Sequence, residues 1–158
     1  MPEDTQQPTF RPVLLEAVVF LCGALVMSYE IVGARIVAPY LGSSTYIWTS
    51  LIGVILGALS LGYWLGGRIA DRRPQLRVLS AAIFIAGGLV SLTILVKSVF
   101  LGSIARSTLP LELLALLASL TLFAPASVAL GFVIPYATKL RLVSLSDTGR
   151  TVGRLYAL

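Results

Sequence analysis

The sequence predicts an all-α membrane protein, a polytopic helical bundle with four transmembrane helices. Hydrophobic residues make up 57% of the 158 positions and charged residues only 12%, and the mean hydropathy is +0.93. A soluble domain carries roughly 25% charged residues. An α-helix needs about 20 apolar residues to cross a bilayer. Four such segments, joined by short connections, occupy most of this chain.

The first predicted transmembrane helix covers residues 13–37. A polar, proline-bearing stretch at 1–12 precedes it and is predicted to be a disordered cytoplasmic tail. Pro39 disfavours helical backbone at the residue before it, and Gly42 readily adopts the left-handed conformation of a turn. The segment 38–42 is therefore expected to end the helix.

The second and third predicted helices cover residues 46–66 and 78–101. Tyrosine and tryptophan residues bracket the second helix, as in the interfacial belts of membrane proteins. The third helix is apolar until Lys97, near its far end. The connection between the two, residues 67–77, is the most charged stretch of the chain.

The fourth predicted helix covers residues 111–137 and is interrupted by Pro125 and Pro135. Each proline removes a backbone donor and tends to kink a helix. Such breaks occur in the moving helices of transporters, but prolines are also common in membrane helices without that role. Residues 139–158 are predicted to be a basic cytoplasmic tail that leads into a truncated fifth segment.

The positive charges are divided unequally between the two sides of this arrangement. Nine of the twelve Lys and Arg residues fall on the side of the termini and of the 67–77 connection. The other three are Arg35, Lys97 and Arg106. The positive-inside rule therefore predicts a multi-pass protein of the cell membrane with both termini in the cytoplasm. This distribution accounts for the net charge of +5 without a nucleic-acid partner, and the lipid bilayer is the expected surrounding.

The residue inventory excludes several kinds of functional site. The chain contains no histidine, and its one cysteine, Cys22, lies in an apolar run. A zinc site, a Cys–His nucleophile, a Ser–His–Asp triad and a haem attachment motif all require more than this inventory holds. We therefore expect no catalytic residue, no metal and no cofactor in this chain.

Glu30 is the charged residue that lies deepest inside a predicted span, and intramembrane carboxylates are usually functional. One interpretation is a site for a cation or proton, with Tyr29 and Arg35 nearby. The alternative is a hydrogen-bonded anchor between helices, with Glu16 and Arg35 reaching the two interfaces. Arg35 follows Glu30 by about 140° around the helix, so the two are not expected to pair. Glu30 is expected to point into the bundle, towards Ser50, Ser60, Thr121, Ser127 or the backbone near Pro125.

The second predicted helix carries glycines at regular spacing. Gly53 and Gly57 form one G-x-x-x-G pair, and Gly62 and Gly66 form another. Small residues let the backbones of membrane helices approach closely, where van der Waals contact drives association. We predict that these four glycines pack against another helix. A glycine-lined substrate path is the alternative.

The segment after the second helix combines a glycine, an aspartate and arginines at fixed offsets. We predict that Gly67, Arg68, Asp71 and Arg72 form a loop that changes with the conformation of the protein. Asp71 would accept hydrogen bonds from a helix N-terminus or pair with an arginine of a neighbouring helix. The alternative is a basic loop that only sets orientation, with Asp71 solvated.

Three strings of residues, spread over nearly the whole chain, carry a family resemblance. They are Tyr29-Glu30-x4-Arg35-x3-Pro39-x2-Gly42-x3-Tyr46-x-Trp48-Thr49, Gly62-Tyr63-x2-Gly66-Gly67-Arg68-x2-Asp71-Arg72 and Gly153-Arg154-Leu155-Tyr156-Ala157. Together they resemble the N-terminal membrane domain of the membrane-fused spermidine synthase family. The part Gly67-x-x-Ala70-Asp71-Arg72 is also similar to the loop signature of the major facilitator superfamily. The resemblance implies a facilitator-like membrane domain, which in that family is joined to a cytoplasmic aminopropyltransferase-like domain.

The resemblance and the membrane carboxylate together imply a transporter-like module that handles polyamines or other small cations. One alternative is a membrane anchor or a fragment of a split aminopropyltransferase, without activity of its own. The chain lacks the Gly-rich nucleotide loop of such a synthase, so the chain itself is not expected to be an enzyme. Four helices do not readily enclose an alternating-access path. A homo-oligomer or a partner membrane subunit, and a cytoplasmic synthase domain, are therefore the expected partners.

Overall fold

The computed structural model describes residues 12–72 and 74–156, with side chains described for 15–72 and 74–142. Within these ranges the protein is all-helical, as predicted. The predicted tail at 1–12 lies outside the described residues except for Pro12. The helices are α1 (Pro12–Leu41), α2 (Thr45–Arg72), α3 (Leu76–Ile104), α4 (Leu111–Leu122) and α5 (Ala124–Tyr156).

Three of the helices, α1, α2 and α3, are each long and apolar enough to cross a membrane. The fourth span is a bent pair, because α4 and the first part of α5 together pass the same test but meet at 50°. The prediction of a membrane helical bundle is confirmed, with three spans or four when the bent pair is counted as one.

The first helix is longer than predicted at its end. α1 continues through Pro39 to Leu41, and Gly42 then takes a positive φ of 87°. The Gly42 N–H donates to the Ala38 carbonyl oxygen at 2.9 Å, which satisfies a carbonyl of the last turn. Pro39 costs the helix one internal hydrogen bond without ending it, whereas the glycine supplies the left-handed residue at which the chain turns.

The bend between α4 and α5 lies at Phe123, two residues before Pro125. Pro125 occupies the first turn of α5, where a missing N–H is tolerated, and it cannot donate to the preceding turn. Pro135 lies inside α5, which continues past it. The two prolines predicted to interrupt one helix therefore have different effects, and only the first coincides with the break.

The predicted basic tail at 139–158 is wrong as a separate segment. Helix α5 continues without a break to Tyr156, and residues 157–158 lie outside the described part. No proline follows Pro135 in the sequence, so nothing forces the helix to stop at the edge of its apolar part. The basic residues Lys139, Arg141, Arg150 and Arg154 thus belong to the same helix as the apolar part of the fourth span.

The closest helix contact joins α2 to α5. A Cβ at Gly62 would overlap the carbonyl oxygen of Val128, and a Cβ at Gly131 would lie 2.7 Å from the carbonyl oxygen of Leu59. The two glycines thus face each other, and backbone meets backbone. A Cβ at Gly66 would lie 2.5 Å from the carbonyl oxygen of Phe132 and 3.0 Å from its Cα, so Gly66 is also tightly packed.

The other glycine pair of α2 does not take part in this contact. Gly53 and Gly57 are exposed, and a Cβ at either would meet no atom within 4 Å. The prediction that all four glycines pack is corrected to Gly62 and Gly66. The reason is geometric: the two pairs are nine residues apart, about two and a half helical turns, so they lie on opposite faces of α2 and only the face with Gly62 and Gly66 meets α5.

Candidate functional site

The candidate site is built around the middle of α1, where Tyr29 and Glu30 are neighbours. Tyr29 is buried, and its hydroxyl donates to the Leu122 carbonyl oxygen at 3.1 Å. The Thr93 hydroxyl lies 2.8 Å from the same carbonyl and 3.0 Å from the Tyr29 hydroxyl. Three oxygen atoms from α1, α3 and α4 thus form one compact hydrogen-bonded cluster.

This cluster satisfies the backbone where α4 ends. Leu122 is the last residue of α4, so its carbonyl lies at the break in the helical ladder. A carbonyl without a partner costs several kcal/mol in hydrocarbon, where water cannot replace the lost bond. Tyr29 and Thr93 provide the missing donors and so stabilise the bend.

The ring of Phe123 completes the junction. Its centroid lies 5.2 Å from that of Tyr29, at an interplanar angle of 58°. A Cβ at Gly33, one turn beyond Tyr29, would lie 2.8 Å from a ring atom of Phe123, so the glycine makes room for the ring. The sequence analysis assigned no role to Thr93, Gly33 or Phe123. The one available signal was an isolated threonine in an apolar run of α3.

Tyr29 was predicted to contact substrate. In the structure its hydroxyl is occupied by hydrogen bonds to Thr93 and Leu122. The structure therefore gives this residue a place in helix packing, and its predicted contact with substrate stays a prediction.

Glu30 lies on the side of α1 that faces the bundle. Its neighbours one turn away on the same face, Val26 and Ala34, are buried in the core, and Val37 two turns on is 1% exposed. Glu30 itself is half-buried. Among the residues whose side chains are described, none forms a hydrogen bond or ion pair with it.

The hydroxyl partners predicted for Glu30 are engaged elsewhere or too distant. Ser60 donates to the Leu56 carbonyl, and Ser127 donates to the Phe123 carbonyl, each within its own helix. A serine in a helix readily satisfies itself in this way, using the carbonyl four residues earlier. The predicted hydrogen bonds from Glu30 to Ser60 or Ser127 are therefore wrong, as are those to Ser50 and Thr121 within the described chain.

Arg35 lies apart from Glu30, as predicted from the helical angle between them. Its side chain is exposed, and it takes part in neither ion pair found between described residues. Tyr29 and Glu30 are consecutive residues of α1, and their side chains point in different directions. The structure does not gather Tyr29, Glu30 and Arg35 around one point.

A second group of polar contacts, which we call the end cluster, ties four helices together at one end of the bundle. Lys139 Nζ of α5 lies 2.6 Å from Asp71 Oδ1 of α2. The Arg141 guanidinium lies 3.1 Å from Glu16 Oε1 of α1. Both pairs are partly exposed, so each contributes about 0–1 kcal/mol.

Tyr136 is the buried member of the end cluster. Its hydroxyl accepts from the Gln75 N–H at 3.0 Å and lies 3.1 Å from the Gln75 carbonyl oxygen, to which it donates. Gln75 is the residue just before α3. A fully buried phenol on α5 thus fixes the short connection between α2 and α3.

The predicted loop formed by Gly67, Arg68, Asp71 and Arg72 is corrected. All four residues belong to the last two turns of α2, which ends at Arg72. Gly42 is the only glycine with a positive φ in the described part of the chain, so Gly67 does not turn the chain. The predicted pairing of Asp71 with a neighbouring helix is seen, with a lysine as its partner in place of an arginine.

Arg68 extends from the exposed face of α2. Its guanidinium carbon lies 5.3 Å from the centre of the Trp64 ring, one turn earlier on the helix. This is a cation–π contact, and it positions an aromatic ring and a cation together where a membrane interface would lie.

Comparison with protein-family models, with curated proteins and with solved structures finds no match to this chain.

Proposed function

We propose that the chain is a transporter-like membrane module in which Glu30 binds a small cation. The observation that carries the proposal is a half-buried carboxylate, on the bundle side of α1, that has no polar partner among the described side chains. A charge left in that position costs about 2.5–3.5 kcal/mol on insertion scales. A bound cation offsets that cost.

The class of cation follows from the sequence resemblance. The string around Tyr29 and Glu30 resembles the membrane domain of the membrane-fused spermidine synthases, which points to polyamines among small cations. A polyamine carries amino groups along an apolar chain. One ammonium would pair with Glu30 while the methylene segments contact apolar side chains of the bundle.

An assembly completes the proposed site. Paired repeats normally enclose an alternating-access path, and a single bundle of four spans does not readily enclose one. The remaining ligands for the cation would come from a second copy of the chain or from a partner membrane subunit. We place both termini and the end cluster in the cytoplasm of the cell, in accordance with the distribution of lysine and arginine.

A second function, a membrane anchor for a synthase domain, is favoured by the end cluster. There Tyr136 and the two ion pairs hold α1, α2, α3 and α5 in fixed positions at the end assigned to the cytoplasm. A rigid end of this kind suits the attachment of a soluble domain. In this role Glu30 needs no ligand.

The test is equilibrium binding of radiolabelled spermidine and putrescine to the purified protein in nanodiscs. Glu30→Gln keeps the shape of the side chain and removes its charge, and we expect it to abolish saturable binding. Glu16→Gln is the matched control, because Glu16 is exposed and already paired with Arg141. It should bind as the wild type does.

The stability of the same variants separates a ligand site from an anchor. A carboxylate kept for ligand binding destabilises the empty protein, so Glu30→Gln should unfold at a higher denaturant concentration while binding less. Equal binding by wild type and Glu30→Gln would refute the cation site. Absence of binding in both, together with capture of a purified aminopropyltransferase domain, would favour the anchor.

A further inference from the structure

An apolar groove runs between α1 and α3, on the side of Tyr29 away from Glu30. Its volume is about 360 Å³, within the range of about 300–1,000 Å³ that is typical of small-molecule sites. Leu130 and Val133 of α5 form its floor. The groove contains none of the charged residues of the site proposed above.

The groove opens sideways, at the level of the apolar spans. Leu25 and Val32 of α1 and Ile94 of α3 line it, and they are 56%, 48% and 54% exposed. In a membrane these side chains face hydrocarbon. The two hydroxyls at the groove, from Tyr29 and Thr93, lie within hydrogen-bonding distance of each other and of the Leu122 carbonyl, so their two protons already have acceptors in the bundle. The lining therefore suits an apolar chain.

Two cations lie just beyond one end of the groove. On α3 the lining positions recur every three or four residues, through Gly87, Val90 and Ile94, and the next position in that series is Lys97. On α1 the same progression from Ser28 reaches Arg35. Since Glu16 and Gln75 both belong to the end cluster, α1 and α3 run in parallel, so the two cations share an end.

Neither cation has an ion-pair partner among the residues whose side chains are described. Lys97 is half-buried and Arg35 is exposed. The ion pairs found between described residues are those of the end cluster, at the opposite end of both helices. Lys97 lies seven residues before the end of α3, which corresponds to about 10 Å along the axis. A lysine side chain spans much of that distance and extends its ammonium towards the headgroups.

We propose that the groove holds an acyl chain of an anionic phospholipid, whose phosphate is bound by Lys97 and Arg35. The apolar lining accepts the chain, and the cations complement the charge of the headgroup. A further helix packed over the groove, about 10–12 Å wide, would leave both cations without a counter-charge. A lipid satisfies the groove and the cations together.

The experiment uses phosphatidylglycerol with a photoactivatable diazirine on one acyl chain, in nanodiscs of phosphatidylcholine that contain the full chain. After illumination, labelled peptides are mapped by mass spectrometry. Labelling should concentrate on groove residues such as Val32, Val90 and Ile94, with little on the outer face of α3 at Phe84 and Leu95. Labelling spread evenly over the exposed faces would overturn the proposal.

Two glycines of α3 provide a matched pair of variants. A Cβ at Gly87 or Gly88 meets no atom within 4 Å, so a side chain can begin at either position without overlapping a neighbour. Only Gly87 lines the groove. Gly87→Leu should fill it and reduce the labelling several-fold, whereas Gly88→Leu should label as the wild type does. Equal labelling of the two variants would refute an occupied groove.

The headgroup contact is tested separately. Lys97→Gln should lower the preference for phosphatidylglycerol over diazirine-bearing phosphatidylcholine by about fivefold, the effect of one cation near an anionic lipid, and Arg35 should keep the rest of the preference. An unchanged preference would overturn the phosphate site. A dimer in native mass spectrometry that Gly87→Leu dissociates would show that a second copy of the chain, not a lipid, covers the groove.

Discussion

Replacing Gly62 with alanine should separate α2 from α5. The added methyl group would overlap the Val128 carbonyl oxygen and lie 3.0 Å from the Gly131 Cα. Both obstacles are backbone atoms, so neither moves unless the whole helix moves. The two helices must separate along their closest contact, where van der Waals attraction between backbones holds membrane helices together.

The matched control is Gly57→Ala on the same helix. A Cβ there meets no atom within 4 Å, so the substitution adds no clash. Overpacking a tight contact costs about 1–3 kcal/mol. Replacing an exposed helical glycine with alanine stabilises the helix by about 1 kcal/mol. This gain applies to both substitutions, so Gly62→Ala should be less stable than Gly57→Ala by the cost of overpacking alone, about 1–3 kcal/mol.

Unfolding in mixed micelles, titrated with sodium dodecyl sulfate and followed by circular dichroism, measures this difference. The Gly62→Ala transition should move to a lower fraction of the denaturing detergent, and that of Gly57→Ala should not. If the two variants unfold together, or if Gly62→Ala is the more stable, α2 and α5 do not meet at this glycine. The packing argument would then be refuted.

Three further predictions follow from single contacts. Tyr136→Phe removes the hydroxyl that bonds both backbone groups of Gln75, so we expect a loss of about 1–3 kcal/mol in the same titration; a loss below that of Lys139→Gln, an exposed pair worth about 0–1 kcal/mol, would contradict the structure. Thr93→Val should cost about 1 kcal/mol, because Tyr29 still donates to the carbonyl at the bend, and adding Tyr29→Phe should cost more than the sum of the two single changes. A cysteine introduced at Ser43, in a background without the native thiol, should react with a membrane-impermeant maleimide in intact cells; protection there with labelling only after lysis would reverse the assigned orientation.

The sequence by itself determined the class of the protein. Hydropathy identified the apolar spans, because crossing a bilayer demands a run of about 20 apolar residues, and the length of such a run is read directly from the sequence. It also placed the turn at Gly42 and the irregularity at Pro125, since glycine and proline restrict the local backbone wherever they occur. These properties depend on neighbours in the chain and not on the rest of the fold.

The ends of the helices were harder to predict where charged residues follow the apolar ones. Hydropathy ends the second span at Gly66 and the fourth at 137, yet α2 continues to Arg72 and α5 to Tyr156. A helix persists beyond the hydrocarbon as long as its backbone bonds and a few side-chain contacts favour it. Asp71, Lys139 and Arg141 lie in these extensions, and no apolar count reveals the ion pairs that they form.

Only the tertiary structure decided which residues meet. Gly53 and Gly62 belong to identical spacing motifs on opposite faces of α2, and only the position of α5 determines which of the two faces is packed. Tyr29 and Glu30 are chain neighbours, and the 100° between successive helical residues sends one to Thr93 and leaves the other without a described partner. A contact depends on the relative placement of two helices. Here the bend at Phe123 sets that placement, and it is stabilised by hydrogen bonds from Tyr29 and Thr93, which are far away in the sequence.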